Sequence, residues 1–408
     1  MKRTTQNRFK ALTSACVMVM MATVAWSQTL TWLGTLGGVW SRAYGVSADG
    51  NVVVGASSNA AGQERAFRWT NGVMQDLGTL GGVWGRAYGV SADGNVVVGA
   101  SSNAAGQTRA FRWTNGVMQD LGTLGGAESW AHGVSADGSV VVGVATNADR
   151  REHAFRWTAA GDMQDLGTLG GYSSTANGVS ADGRVVVGHS DSYAFRWTPW
   201  SGMQNLGMPP GYTGGFFYAF DVSANGRVVV GSARGNDFSI RAYRWTAATG
   251  MQLLGMLTGY RDSYATGVSA DGSVVVGYAY NSARQECAIR WTASGVMEDL
   301  NLGYYACLMT PSSYLATADD VSPDGRYIVG LGFNAITGRR EAYLLDMLAP
   351  PTGDVNRDGC VDDADLMGVL FELGEPANDF NRCMDTNRDG IVDDADLLIV
   401  LFNFGGGC

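Results

Sequence analysis

The sequence predicts an all-β chain, a seven-bladed β-propeller closed by its own N-terminal strand, with a small α-helical module behind it. Three observations predict this. The strand–turn–strand unit "GVSADGNVVVG" stands at residues 45–55 and again, letter for letter, at 89–99. A second motif, "LGTLGG" or a worn version of it, begins at 33, 77, 121, 166, 206, 254 and 300, in steps of 40 to 48 residues. A period near 45 with four short strands is the size of a propeller blade. Finally, the last 55 residues change character, with acids and two short apolar runs replacing the repeats.

Residues 1–27 are expected to be a secretory signal peptide. Lys2, Arg3, Arg8 and Lys10 precede an apolar run from Ala11 to Trp26, and Ala25 and Ser27 flank a cleavage site before Gln28. The run is too short to read as a membrane span, and no later segment is apolar enough for one. The mature chain is therefore expected to be secreted and monomeric.

Residues 28–346 carry the repeats. Each unit holds an Asp-Gly or Asn-Gly turn, at 49–50, 93–94, 137–138, 182–183, 225–226, 271–272 and 324–325. Gly and Asn tolerate the positive φ that tight hairpins need, so these are seven hairpins. The third strand reads "AFRW" at 66–69, 110–113, 154–157 and 194–197, then "AYRW", "AIRW" and "AYLL". The fourth reads "VMQDLG" at 73–78 and recurs through "VMEDLN" at 296–301, but none follows the seventh unit. A spare copy, "TLTWLG", stands at 29–34. Pairing the spare strand with the incomplete blade would close the ring and leave no open edge.

The pattern "GVSADGxVVVG…AFRW" resembles the extracellular HAF-repeat family, whose motif stands here as His153-Ala154-Phe155. That resemblance implies a secreted or surface repeat protein and brings no catalytic residues with it. Arg, Tyr or Cys occupies the position of His153 in most other units, so this histidine is not expected to be a ligand or a base.

Within a blade the joins between strands one and two, and three and four, are tight. Those between strands two and three, and between blades, vary and open on the other face, the usual layout of a binding face. Aromatic residues follow the inter-blade glycines at Trp40, Trp84, Trp130, Tyr172, Tyr212, Tyr260 and Tyr304. Flat rings with a polar edge suit sugars or peptide side chains, and equally suit packing in the seams. Arg68, Arg112, Arg156, Arg196, Arg244 and Arg290 recur at one strand position, the signature of a structural ladder. Residues 33–76 and 77–120 differ only at Ser41/Gly85 and Glu64/Thr108. Near-identical blades suit a scaffold or multivalent binder, whereas an active site needs one blade set apart by two carboxylates or a nucleophile–base pair. Asp237, Asp262 and Glu286 are the scattered acids that a polysaccharide lyase or hydrolase could draw on.

Loss of the leader would leave five cysteines in a disulfide-permissive compartment. Cys287 and Cys307 fall at neighbouring places on the variable face, where a bridge is expected. Cys360 is expected to bridge to Cys408, with Cys383 the competing partner.

The full chain has a net charge of −10, and the leader carries four positive charges. Residues 354–408 hold thirteen acids against three arginines, which leaves −4 for residues 28–346. No basic surplus exists to neutralise phosphates, so nucleic acid is excluded as a partner. After the linker 347–353, "DVNRDGCVDDAD" (354–365) is matched by "DTNRDGIVDDAD" (385–396). Oxygen ligands fall at loop positions 1, 3, 5, 9 and 12, with Gly at 6 and a backbone carbonyl at 7, the pattern of a calcium loop. One ion is thereby assigned to Asp354, Asn356, Asp358, Asp362, Asp365 and the Cys360 carbonyl. The other falls to Asp385, Asn387, Asp389, Asp393, Asp396 and the Ile391 carbonyl. Two such loops, each followed by one helix, resemble a type I dockerin, which implies calcium-dependent folding and docking to a cohesin. Positions 10 and 11 hold Asp363-Ala364 and Asp394-Ala395 where cellulosomal dockerins carry Ser-Thr, so a cohesin-like or other surface protein is the expected partner. The function expected from the whole is a secreted, non-enzymatic binder of glycan or cell-wall material; the alternative is a polysaccharide-degrading enzyme carried by a dockerin.

Overall fold

The computed structural model describes residues 29–235, 238–302, 309–347, 353–356, 360–376, 383–386 and 391–406. The expected signal peptide lies outside them, as do Tyr304, Cys307, Asp358, Asn387, Asp389 and Cys408.

The repeats form four-stranded antiparallel blades in a propeller-type, all-β arrangement. Blade one is β2 (Gly37–Val46), β3 (Val52–Asn59), β4 (Glu64–Thr70) and β5 (Val73–Asp76), hydrogen-bonded in that order. Blades two to six repeat it within 81–120, 125–165, 174–205, 216–253 and 260–299. The seventh holds β26 (Tyr314–Val321), β27 (Tyr327–Asn334) and β28 (Arg339–Asp346). Its fourth strand is β1 (Thr29–Trp32), which pairs antiparallel with β28 from Thr29↔Asp346 to Trp32↔Tyr343. The spare N-terminal strand thus sits where the count placed it.

Apolar surface is buried between blades. The β3 sequence "VVVGASSN" is almost wholly buried, because a mid-blade strand packs against both neighbouring blades. Val52, Val54, Ala66 and Leu77 of blade one meet Ala87, Val97, Phe111 and Trp113 of blade two. Val329 and Ala342 of blade seven meet Ala43, Val53 and Phe67 of blade one in the same way.

The Asp-Gly turns are wired through their serines. Ser47 Oγ accepts from Val52 N at 3.0 Å and donates to Asp49 Oδ1 at 2.6 Å, while Gly50 takes φ +73°. Glycine is needed here on two counts. A Cβ on Gly94 would fall 2.5 Å from Val52 of the preceding blade, and one on Gly50 would fall 2.6 Å from the Tyr327 ring of blade seven. The arginine ladder spans the same seams. Arg68, Arg112, Arg156 and Arg196 donate Nε to the turn carbonyls of Gly94, Gly138, Gly183 and Gly226 on the following blade, at 3.1 to 3.3 Å. Arg244 reaches Gly272 O through Nη2, whereas Arg290 pairs instead with Glu298.

The tail has two helices, α1 (Asp363–Glu372) and α2 (Asp394–Phe402). Asp362 and Asp393 cap them, each closing a capping box with the aspartate three residues on. Val361 exchanges hydrogen bonds with Gly405 and Gly406 behind α2, and Val392 with Gly374 and Glu375 behind α1. Each half is therefore completed by the other. Val355, Val361, Val369, Val392 and Val400 form the shared core.

Candidate functional site

The innermost strands surround a central channel of about 420 Å³. Each carries a bulge after the alanine facing the glycine of strand two, as at Ala43/Gly45. The bulged residue is tyrosine in blades one and two and differs in every other blade: Tyr44, Tyr88, His132, Asn177, Phe220, Thr266 and Asp319. A bulge re-aims a side chain, and here it turns one polar or aromatic group per blade into the channel. His132 Nδ1 donates to Ala176 O at 3.0 Å, Asn177 Nδ2 to Ala219 O at 2.7 Å and Thr266 Oγ1 to Ala318 O at 2.7 Å. Each of these groups thereby ties its blade to the next. Arg42 holds Asp319 in a bidentate pair, Nε to Oδ2 at 2.8 Å and Nη2 to Oδ1 at 2.6 Å.

Two aspartates stand where five blades have glycine. Asp221 accepts from its own Val222 N and from Val268 N of blade six; Asp320 accepts from Val321 N and from Val46 N of blade one. Burial pushes the Asp221 carboxyl up to about 6. Burial, and then the charge of Asp221, pushes Asp320 up to about 7. Burial likewise holds the His132 imidazole below its ordinary value. Sequence reasoning passed over this ring, although "FDVS" and "DDVS" break the glycine of "YGVS" in plain view.

The aromatic residues expected on the loop-rich face divide. Trp40 and Trp84 are half-buried at matching places on their strands. Trp130 is not their equivalent: it pairs with Val144 as Arg42 pairs with Ala56, and Glu128 takes the tryptophan position. The two-residue shift keeps Trp130 on the same face, since strand side chains alternate. Tyr212 packs against Phe217, and Tyr260 donates its hydroxyl to Asp299, so both serve the seams. Tyr172 stands open, 73% exposed, beneath the Arg151 guanidinium at 4.9 Å. His153 pairs with Asp165 at 2.8 Å, as Arg65 does with Asp76 in blade one.

The bridge expected from Cys287 to Cys307 is not formed. Cys287 carries a free thiol, hydrogen-bonded to the Tyr260 hydroxyl, and burial raises its pKa. In the tail Cys360 is disulfide-bonded, while Cys408, its expected partner, lies outside the described residues.

Among the described residues of the two acidic loops, Asp354, Asp365, Asp385 and Asp396 are buried. Asp365 Oδ1 accepts from Val355 N and Asn356 N, and Oδ2 from Asp362 N. Asp396 accepts from Thr386 Oγ1 and Asp393 N. Carboxylates are almost never fully buried without a partner. The side chains of both loops offer hard oxygens, which suits calcium.

Residues 352–401 match the dockerin type I domain. The tail is a type I dockerin. Dockerins bind cohesins, and proteins with this dockerin are typically extracellular. No curated protein matches the chain. The oligogalacturonate lyase of Vibrio parahaemolyticus is similar in fold, with a TM-score of 0.53 at 10% identity over 78% of this chain and 93% of that one. An oligogalacturonate lyase in complex with manganese gives 0.50 at 12% identity over 78% and 92%. At such identities the likeness shows a propeller-type fold and nothing of activity. No helix among the described residues is long and apolar enough to cross a membrane.

Proposed function

We propose that this is a secreted, non-enzymatic binding or scaffold protein. Its HAF-type repeats form a closed seven-bladed propeller that holds an extracellular glycan or cell-wall material on its loop-rich face. Its dockerin carries two calcium ions and attaches the molecule to a cohesin-like or other surface protein. The observation that carries this reading is a dockerin behind a ring of near-identical blades: an attachment device joined to a repeated, rigid display surface. Closure is supported by the β1–β28 pairing, by the Arg42–Asp319 pair between blades one and seven, and by Ser41 Oγ accepting from Ala342 N at 2.8 Å.

The acids an enzyme could use on the loop face are otherwise engaged. Asp262 accepts from Ile240 N at 2.9 Å, Glu286 pairs with Arg340 at 2.7 Å, and Asp237 lies outside the described residues. In the channel, Asp221 and Asp320 are likewise engaged, each accepting from one backbone amide of its own blade and one of the next.

Passing residues 28–408 over insoluble and soluble polysaccharides, with calcium present, tests the reading. Retention on a glycan is expected; release of sugar products without retention would overturn it in favour of the enzyme. For the dockerin, chelation with EDTA should unfold α1 and α2 and abolish capture of the partner while the propeller's melting transition stays in place. A dockerin that keeps its helical circular dichroism in EDTA would remove calcium from the account.

A further inference from the structure

The low rim of blade four makes a more specific site. We propose that a row of exposed rings and arginines there, running across blades three to five, binds an acidic polysaccharide through its carboxylates. This rests on the glycan reading above and narrows it to uronate-bearing polymers.

Blade four is cut short. Its second and third strands are joined only by Asp191 and Ser192, with Asp191 at φ +46°, where blade one has a longer turn between Asn59 and Glu64. The shortened hairpin leaves a notch in the loop-rich face. The Asp191–Ser192 turn fixes both walls. The Asp191 carboxylate accepts from Tyr172 N, Ser173 N and Ser173 Oγ, at 3.1 to 3.3 Å, while Ser192 O accepts from Phe217 N at 2.9 Å. One wall therefore presents Tyr172 and the other Phe216, which is 44% exposed.

Each ring carries a guanidinium. Arg151 from blade three lies 4.9 Å from the Tyr172 centroid, and Arg234 lies 5.9 Å from Phe216 and 5.2 Å from Phe238. Phe238 is 69% exposed and holds φ +60°, a conformation in which a bulky residue is an outlier and which marks functional loops. Both arginines are exposed, and among the described residues neither makes an ion pair, in contrast to Arg42, Arg65, Arg86 and Arg340 on the same face. The carboxylate beside them, Asp191, is occupied by amides and a hydroxyl. Rings offer stacking faces to sugar, and guanidiniums held over those rings offer paired donors to a carboxylate. A neutral glycan would use the rings and leave the charges idle. A uronate polymer would use both.

The probes are a short oligouronate and the same oligomer with its carboxyls reduced to alcohols, titrated calorimetrically into the full chain. The acidic form should bind at least about tenfold more tightly, and 0.5 M salt should remove that advantage. R151A/R234A should reduce acidic binding to the level of the neutral form; both residues are exposed, so the unfolding midpoint should not move. Equal binding of both forms would overturn the acidic preference and leave glycan binding standing. So would acidic binding untouched by R151A/R234A. Equally tight binding of polyglutamate would show a generic anion surface and overturn the sugar assignment. Failure to bind either oligomer, with no retention on any polysaccharide, would overturn this site and the glycan reading together.

Discussion

Five of the seven seams between blades are lined by glycine, and two by aspartate. The glycine seams let inner strands approach closely. A Cβ on Gly89 or Gly133 would lie 3.1 Å from the next blade's carbonyl oxygen, at His132 and Asn177, and one on Gly45 would lie 3.3 Å from Tyr88 O. Each of these five seams also carries a backbone hydrogen bond at its turn: Ala48 N to Ala92 O, Ala92 to Ala136, Ala136 to Ala181, Ala181 to Ala224, and Ala270 to Pro323. The two remaining seams show no such bond among the described residues, and one cannot, because Pro323 has no N–H to donate. Those two seams hold Asp221 and Asp320, whose carboxylates reach across to Val268 N and Val46 N. Where the strands can touch, backbone joins backbone; where they cannot, a side chain spans the gap. The repeat therefore ends as an arc of five blades and an arc of two, joined by half-buried carboxylates.

The strongest way to break this distinction is to put an acid in a glycine seam. G133D adds a Cβ 3.1 Å from Asn177 O and 3.2 Å from Val142, so the two blades must part to admit the carboxylate. It should cost about 3 kcal/mol in urea unfolding, as overpacking of a tight seam does. A loss below about 1 kcal/mol would mean that spacing does not separate the two kinds of seam.

The aspartate seams should respond to pH. Asp221 and Asp320 hold their protons more tightly in the folded ring than in the unfolded chain. Their contribution is thus complete below the ordinary carboxylate range and is lost as pH rises through about 6 and 7. The propeller should lose on the order of 3 kcal/mol between pH 5 and pH 8, and D221N/D320N should flatten that slope. Urea midpoints at four pH values decide it; a wild-type curve that rises over this interval would contradict the sign.

A smaller effect sharpens the contrast at the ion pairs. R42A strands the Asp319 carboxylate, only 8% exposed, and should cost about 2 kcal/mol. E64A, which frees the more exposed Arg86 in the first seam, should cost less than about 1 kcal/mol. The ladder should respond least. R112A removes one rung to Gly138 O and should lower stability by about 0.5 kcal/mol, read from the shift in melting temperature. Equal losses from R42A and E64A would show that burial does not set their worth.

Repetition made most of the fold legible. A strand spelled seven times states its own register, and "TLTWLG" could be matched to β28 because six complete blades showed what the seventh lacked. The dockerin was legible for the same reason, since two twelve-residue copies fix each other's spacing. Features that occur once were not. Trp130 was aligned by its residue type, when the alanine and glycine around it carry the register. Asp221 and Asp320 read as acids near strand ends, because nothing local reports that the next blade lacks a backbone bond. Cys287 and Cys307 were paired by loop position, which says nothing of where a thiol points. The notch in blade four was visible as a short loop, but its ring–guanidinium pairs depend on contacts between blades.

The pairing of β1 with β28 also sets an order of events. The first described strand is the last to find its place, because its partner is made at the end of the seventh blade. Until then one arc of blades exists with a raw edge at each end, and edges of this kind recruit other chains. Bringing such distant segments together is slow compared with forming each hairpin. A β1 strand donated by a neighbouring molecule would complete the blade equally well. Crowding while the chain is still incomplete is therefore the moment of greatest hazard for this protein, and a chain that stops before residue 346 has nothing to latch it.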